Sequence, residues 1–307
     1  MTKDISDKTE EILFNISAVE RETGLSKDTL RIWERRYNFP SPVRDTNGDR
    51  AYTREQLKKL QLIKRLLDQG HRPGKIIGLD DDELAKLVPQ SGVDTPPRQD
   101  IDVYIRLIKA HQTLDLRRHL SQAMARQGLR AFVLDTVAPL TQAIGEAWMS
   151  GEIAIFEEHL YSELMEGLIR NAITAVQPQG VAPRVLLTSL PNEQHNLGLL
   201  MVEALLTVEN TMCIPLGTET PVTEIAQAAR AHKADIVALS FSSSYTESKA
   251  LDGLKELRAL LPAAVVLCAG GTGVSRVRRR LSDIHLTGDL EKICELVRRW
   301  RAEHSSY

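Results

Sequence analysis

The chain has 307 residues and only three cysteines, Cys213, Cys268 and Cys294, set far apart. That spacing excludes a disulfide framework and a cysteine-rich zinc cluster; it reads as buried thiols of a reducing compartment. No apolar run approaches the ~20 residues of a membrane-spanning helix, so neither a span nor a membrane partner is expected. The opening Met-Thr-Lys-Asp is no signal peptide, and a cytoplasmic location is expected. Net charge is only -2, which argues against polyanion binding over the whole surface. Internal repeats and low-complexity tracts are absent.

Two or three domains are expected from the length, and charge is unevenly divided among them. Between Lys27 and Lys75, 13 Lys and Arg stand against 6 Asp and Glu, a local +7, so the remainder is net acidic. Such a patch is the electrostatic footprint of nucleic-acid binding. Within it, Ile16–Thr23 reads as a short helix stopped by Gly24. Ser26 caps a second helix, Lys27–Tyr37. Two short helices about a glycine turn form a helix-turn-helix. Leu30 and Trp33 make the buried stripe of the second helix, leaving Lys27, Thr29, Arg31 and Arg35 to meet DNA. Asn47-Gly48 then signals a hairpin wing, with Arg44 and Arg50 on either side of the turn. The Arg and Tyr52 side chains of the wing are expected on phosphates and sugars, which position a protein without reading sequence. Thr29-Leu-Arg-Ile-Trp-Glu-Arg-Arg-Tyr37 and Arg50-Ala-Tyr52 resemble the winged helix-turn-helix of the MerR family over residues 14–80. The DNA-binding domain is placed at 12–88 and a Pro-rich linker at 89–100.

From 101 to 178 nearly every window has helical period, with turns at Gln127-Gly128 and Ser150-Gly151. Leu114, Leu116 and Leu120 belong to one stripe; Phe156, Leu160, Leu164, Leu168 and Ile169 mark another. This predicts a four-helix bundle. From 183 to 305 five apolar strands alternate with five helices, which predicts a doubly wound, Rossmann-like parallel five-stranded sheet. The fold class is therefore multidomain: an all-α winged helix-turn-helix, a four-helix bundle and an α/β domain.

Ligands of open α/β sheets bind at the carboxyl ends of the strands. Three loops fall there. The first, after Val185–Leu190, carries Glu193, His195 and Gly198. It is neither Gly-x-Gly-x-x-Gly nor a P-loop, which argues against a simple dinucleotide site. Its imidazole can reach a metal, while the carboxylate two residues earlier can hold the other ring nitrogen. The second loop opens with Ser240-Phe-Ser242. The third holds Gly270 and Gly271, where a backbone can approach a bulky ligand closely.

Together these loops resemble the cobalamin-binding domain, whose pattern is Asp/Glu-x-His-x-x-Gly, then Ser-x-Leu or a variant, then Gly-Gly. Ser242 departs from the usual Leu or Val of the second motif. The resemblance implies that His195 is the metal ligand, below cobalt, tuned by Glu193. It places the displaced nucleotide tail near Ser240, Ser242, Gly270 and Gly271, with Gly198 in the same motif. Trp148 followed by Glu158-His159 is similar to the photoreceptor branch of cobalamin-binding MerR regulators. That likeness implies that Trp148, Glu158 and His159 cover the upper face of adenosylcobalamin. Some members place a His directly after this Trp, whereas here Met149 stands there.

The expectation is a non-enzymatic repressor that binds double-stranded operator DNA as a homo-oligomer, dimer or tetramer. Light would release it through Co–C photolysis and oligomer dissociation, and carotenoid or photoprotection genes are the targets that the resemblance implies. Two alternatives share the architecture: a MerR-type regulator that uses the sheet for assembly without cofactor, and a corrinoid methyl-transfer protein.

Overall fold

The computed structural model describes residues 13–45, 48–68, 71–87, 99–176, 180–243, 245–274 and 283–304. Asn47 of the wing turn, most of the 89–100 linker and a helix expected over Ser275–Leu281 lie outside those residues. The chain divides into two compact units, an N-terminal one that also takes in Met149–Glu152 and one holding the rest of the bundle and the sheet together.

The N-terminal unit runs β1 (Phe14–Asn15), α1 (Ile16–Thr23), α2 (Lys27–Tyr37), β2 (Val43–Arg44), β3 (Arg50–Tyr52), α3 (Arg54–Asp68), α4 (Pro73–Ile76) and α5 (Asp81–Leu87). Local chemistry accounts for the first boundaries. The Asn15 carboxamide accepts from the Ala18 amide at 2.8 Å, and the Ser26 hydroxyl accepts from Thr29 at 3.1 Å, satisfying donors that helix starts leave open. Gly24, at φ 67°, ends α1 in the left-handed conformation. The wing pairs Arg44 with Arg50 across β2 and β3. Strand β1 was not expected from the sequence. It pairs with the other side of β3, Phe14 opposite Tyr52, in the order β1-β3-β2.

In the second unit, α6 (Gln99–Lys109), α7 (Thr113–Ala131), a π-helical segment (Phe132–Val137), α8 (Ala138–Met149) and α9 (Ile155–Val176) form the bundle. Gly128, at φ 76° and ψ 163°, breaks α7 and divides two bundle helices, as its sequence position suggests. Leu116, Leu120, Leu164 and Ile169 are buried as expected. Leu114, Phe156 and Leu160 are not: they are exposed, because no described element covers the first turns of α7 and α9 on these sides.

The sheet follows as β4 (Val181–Thr188), α10 (Leu197–Val208), β5 (Thr211–Gly217), α11 (Val222–Ala231), β6 (Ile236–Ser240), α12 (Glu247–Leu260), β7 (Val266–Gly270), β8 (His285–Thr287) and α13 (Glu291–His304). All pairings are parallel, in the order β5-β4-β6-β7-β8. Strand alternation sorts two cores. Val185, Leu187, Ile236 and Ala238 face α10, α13 and the bundle. Leu186, Val237, Leu239 and Leu267 face α11 and α12. Bundle and sheet thus share one core, reinforced by Arg130, whose guanidinium bonds Glu209 at 3.1 Å and Glu291 at 3.0 Å. All three cysteines are free thiols, and burial pushes Cys213 and Cys268 up to about 12. Among the described residues no helix is long and apolar enough to cross a membrane.

Candidate functional site

Strand order reverses between β4 and β6, so the connections leaving their carboxyl ends run to opposite faces of the sheet, where a ligand crevice is expected. The loop from Ser189 to Asn196 fills its rim. Glu193 is 1% exposed and sits under this loop. Its Oε1 accepts from the His195 backbone N–H at 3.1 Å and lies 2.6 Å from His195 Nδ1. Its Oε2 accepts from the Ser242 N–H at 2.7 Å and the Ser242 hydroxyl at 2.8 Å. A carboxylate with both oxygens bonded is a firm anchor, because each bond is charge-assisted. Burial pushes the Glu193 carboxyl up, yet the bonds from His195 and Ser242 outweigh it and hold it below the ordinary carboxylate value.

The consequence falls on His195. Its bond to Glu193 raises its pKa; burial opposes this, and the Glu193 and Glu158 charges add to the rise. With Nδ1 tied to the carboxylate, Nε2 is the nitrogen left to a metal, and the ring side chain is 63% exposed. The spacing Glu-x-His therefore produces an oriented, basic and accessible imidazole. The residues fit a cobalt ligand by the chemistry of this donor.

Neighbouring groups position the loop. The Ser189 hydroxyl donates to the Glu193 carbonyl at 2.6 Å and accepts from the Glu219 amide at 2.9 Å. The Tyr245 hydroxyl donates to the Pro191 carbonyl at 3.1 Å. Asn196 Nδ2 donates to Glu166 of α9 at 3.0 Å, tying the loop to the bundle. Sequence reasoning missed these four; a buried Ser at the end of an apolar strand was the available signal. Gly198 lies inside the first turn of α10, which starts two residues earlier than expected. A Cβ there would stand 2.6 Å from Ser240 Oγ, so glycine lets α10 close against β6. Gly271, at φ 97°, approaches Phe241 in the same way, and Gly270 lies against Thr287 of β8.

In the bundle, Trp148 is half-buried at the end of α8, with its Nε1 shielded from water. Glu158 accepts from the Ser162 hydroxyl at 2.7 Å, and His159 is exposed beside it, Nε2 3.7 Å from the Glu158 carboxylate. Glu158 lies near enough for its charge to act on His195. Phe156, His159 and Leu160, spaced to share one face of α9, are all open to solvent.

In the N-terminal unit Arg31, Arg35 and Arg44 are exposed, and Lys27 and Thr29 are partly so. Arg31 pairs with Asp28 at 3.2 Å, Lys27 with Glu20 at 3.7 Å, and Arg44 donates to the Gly48 carbonyl at 2.8 Å. Arg50 forms a 2.9 Å ion pair with Glu34, joining wing to α2. Tyr52 needs correction. Pairing of β1 with β3 turns its ring into the core, where it is 0% exposed and its hydroxyl has no partner among the described residues. Tyr52→Phe should therefore leave DNA affinity unchanged and raise stability by up to about 1 kcal/mol, because a buried hydroxyl without a partner is a penalty. Arg35→Ala should instead weaken binding and lower the salt slope by about one. Salt-dependent anisotropy titrations and urea unfolding read both.

Comparison with known proteins bears on both units. A profile described as MerR HTH family regulatory protein matches residues 14–83. Two profiles described as B12 binding domain match residues 101–172 and 183–294. The HTH-type transcriptional repressor CarH of Myxococcus xanthus is 29% identical over 274 residues, covering 84% of this chain and 88% of its own. The repressor CarA of the same organism is 29% identical over 295 residues, 93% and 95% respectively. The regulator CueR of Salmonella typhi is 30% identical over 108 residues, 35% of this chain and 70% of its own. Among solved structures, the monomethylamine corrinoid protein of Methanosarcina barkeri superposes with a TM-score of 0.53 at 15% identity, over 65% of this chain and 98% of that one. At that identity the likeness is one of fold.

Proposed function

Since this chain belongs to the MerR family of regulators and joins its helix-turn-helix to B12-binding domains, we propose that it is a cytoplasmic, light-responsive transcriptional repressor that binds adenosylcobalamin. The observation that carries the reading is the buried Glu193 carboxylate holding His195 Nδ1 at 2.6 Å, with Nε2 left for cobalt. Bound adenosylcobalamin would supply a cobalt–carbon bond that light cleaves.

The protein's own residues do the rest. His195 would hold cobalt from below, and Ser240, Ser242, Gly270 and Gly271 would lie along the nucleotide tail. Trp148, Glu158 and His159 would cover the upper face. Support comes from the open face of α9, where Phe156 and Leu160 flank His159 and offer apolar cover to a large flat ligand. With the upper group in place, bundle and sheet would be held in a state that assembles into dimers or tetramers. Paired helix-turn-helix units then gain effective concentration on repeated operator half-sites. Lys27, Thr29, Arg31, Arg35, Arg44 and Arg50 would meet the DNA. By resemblance to the photoreceptor branch of cobalamin-binding MerR regulators, the targets would be carotenoid or photoprotection genes. A corrinoid methyl carrier would have no use for the N-terminal unit, which favours the regulator.

The test loads the full chain with adenosylcobalamin in the dark and runs sizing chromatography and a gel shift on its upstream DNA, before and after green light. Bound corrinoid, a larger dark species and loss of the shifted band on illumination are expected. An unchanged elution volume and an unchanged band sink the light-responsive reading. His195→Ala serves as control: its corrinoid spectrum and affinity should change while DNA binding by the cofactor-free chain does not.

A further inference from the structure

A cavity of about 210 Å³ lies between α9, α10 and the end of β5. Leu187, Leu199, Leu200 and Leu216 give it an apolar floor; Arg170, Asn196 and Glu203 supply its polar groups. Glu203 stands out among them. It is half-buried on α10, yet it has no hydrogen bond or ion pair with any described residue. A carboxylate drawn partly out of water without a cation is a costly arrangement. Burial pushes its carboxyl up, with Arg170 pulling the other way.

Arg170 is not its partner. The Arg170 guanidinium lies 3.5 Å from Glu166 Oε2, the same oxygen that accepts from Asn196 Nδ2 at 3.0 Å. Arg170 is thus ion-paired to Glu166, and Glu203 feels its charge without a direct ion pair. Asn196, its amide N–H already bonded, keeps its carbonyl oxygen as an acceptor. An anion would be repelled by Glu203, and a neutral apolar molecule would dehydrate it further. A compact cation with a hydrocarbon body satisfies acid, acceptor and floor together.

We propose that this cavity binds a short aliphatic primary ammonium ion, its N–H donors on Glu203 and Asn196 and its chain on the four leucines. An ammonium carries three donors and no acceptor, which suits the two oxygens; the one cation of the wall, Arg170, is ion-paired to Glu166 at 3.5 Å. Asn196 lines the cavity but Glu193 and His195 do not, and ammonium binding there does not depend on the corrinoid reading.

The experiment titrates isopentylamine into the full-length chain and follows methyl resonances of Leu199 and Leu200 by NMR. Isopentanol is the neutral analogue and isovalerate the anionic one. Saturable amine binding is expected, with the alcohol weaker by at least about tenfold, the usual worth of a charge-assisted hydrogen bond, and no binding of isovalerate. Glu203→Gln should lower amine affinity about tenfold and leave that of the alcohol unchanged. Equal affinity for amine and alcohol, equal amine affinity in the variant, or no saturation overturns the proposal. If the variant does not fold, the comparison of ligands on the unaltered chain decides.

Discussion

Glu193→Gln is expected to destabilise the sheet-bearing unit by about 3 kcal/mol, out of proportion to a change of one atom. The carboxylate accepts four hydrogen bonds, two on each oxygen. A carboxamide has one acceptor oxygen. Whichever way it turns, its NH2 meets a backbone N–H that can only donate, that of His195 or that of Ser242, inside a site where water does not compensate. Urea unfolding followed by amide signals of β4 and β6 measures the loss. The same variant should lower the His195 pKa, since the Glu193 bond is the largest cause of its rise; an NMR titration of the ring reads it directly. The penalty depends on pH with a defined shape. Glu193 has a lowered pKa in the fold, so its contribution is complete above its unfolded value of 4.5 and fades as pH falls through the lowered one. His195 has a raised pKa, so its contribution is complete below 6.5 and fades as pH rises through the raised one. The difference between wild type and variant is therefore greatest between 4.5 and 6.5. A difference that stays the same as pH falls well below 4.5 and rises well above 6.5 would show that the ion pair contributes nothing beyond packing.

Gly271→Ala should be nearly as damaging, though it only adds a methyl group. Its Cβ would stand 2.2 Å from the Phe241 carbonyl oxygen, at φ 97°, where side chains are strained in any case. Phe241 cannot yield easily: it is buried, its N–H bonds Gly270 at 3.0 Å, and its carbonyl accepts from Gly273. The displaced residue would be its neighbour Ser242, which makes half of the bonds to Glu193. A loss of at least about 2 kcal/mol is expected, together with weakened corrinoid binding and an unaltered N-terminal unit. Gly288→Ala is the control. Nothing lies within 4 Å of its Cβ, and a change under about 0.5 kcal/mol is expected. Thermal melting and corrinoid titration of both variants give the comparison. Equal behaviour would mean that the third loop does not support the first.

Much of this architecture was legible in one dimension because its causes are local. Ser26 and Gly24 bound the helices of the N-terminal unit by hydrogen bonds and backbone freedom within three or four residues. Continuous apolar runs place the strands, and period-3.6 apolar patterns place the bundle helices. Glu193 and His195 are two residues apart, so one turn of loop suffices to bring carboxylate to imidazole. Contacts that cross the chain were not legible. Ser242 is 49 residues from Glu193 and meets it because β6 lies beside β4 at the point where strand order reverses. Tyr52 looked like a wing residue and became core when β1 paired across it. Phe156 and Leu160 carry the period of a buried stripe, yet nothing described covers them. Glu203 reads as an ordinary helix-surface acid, and only the packing of α9 on α10 isolates it. Spacing along the chain determines which groups can meet within a turn of backbone; which strand or helix lies alongside, and so which charges are paired or left alone, is decided by the packing of elements distant in sequence.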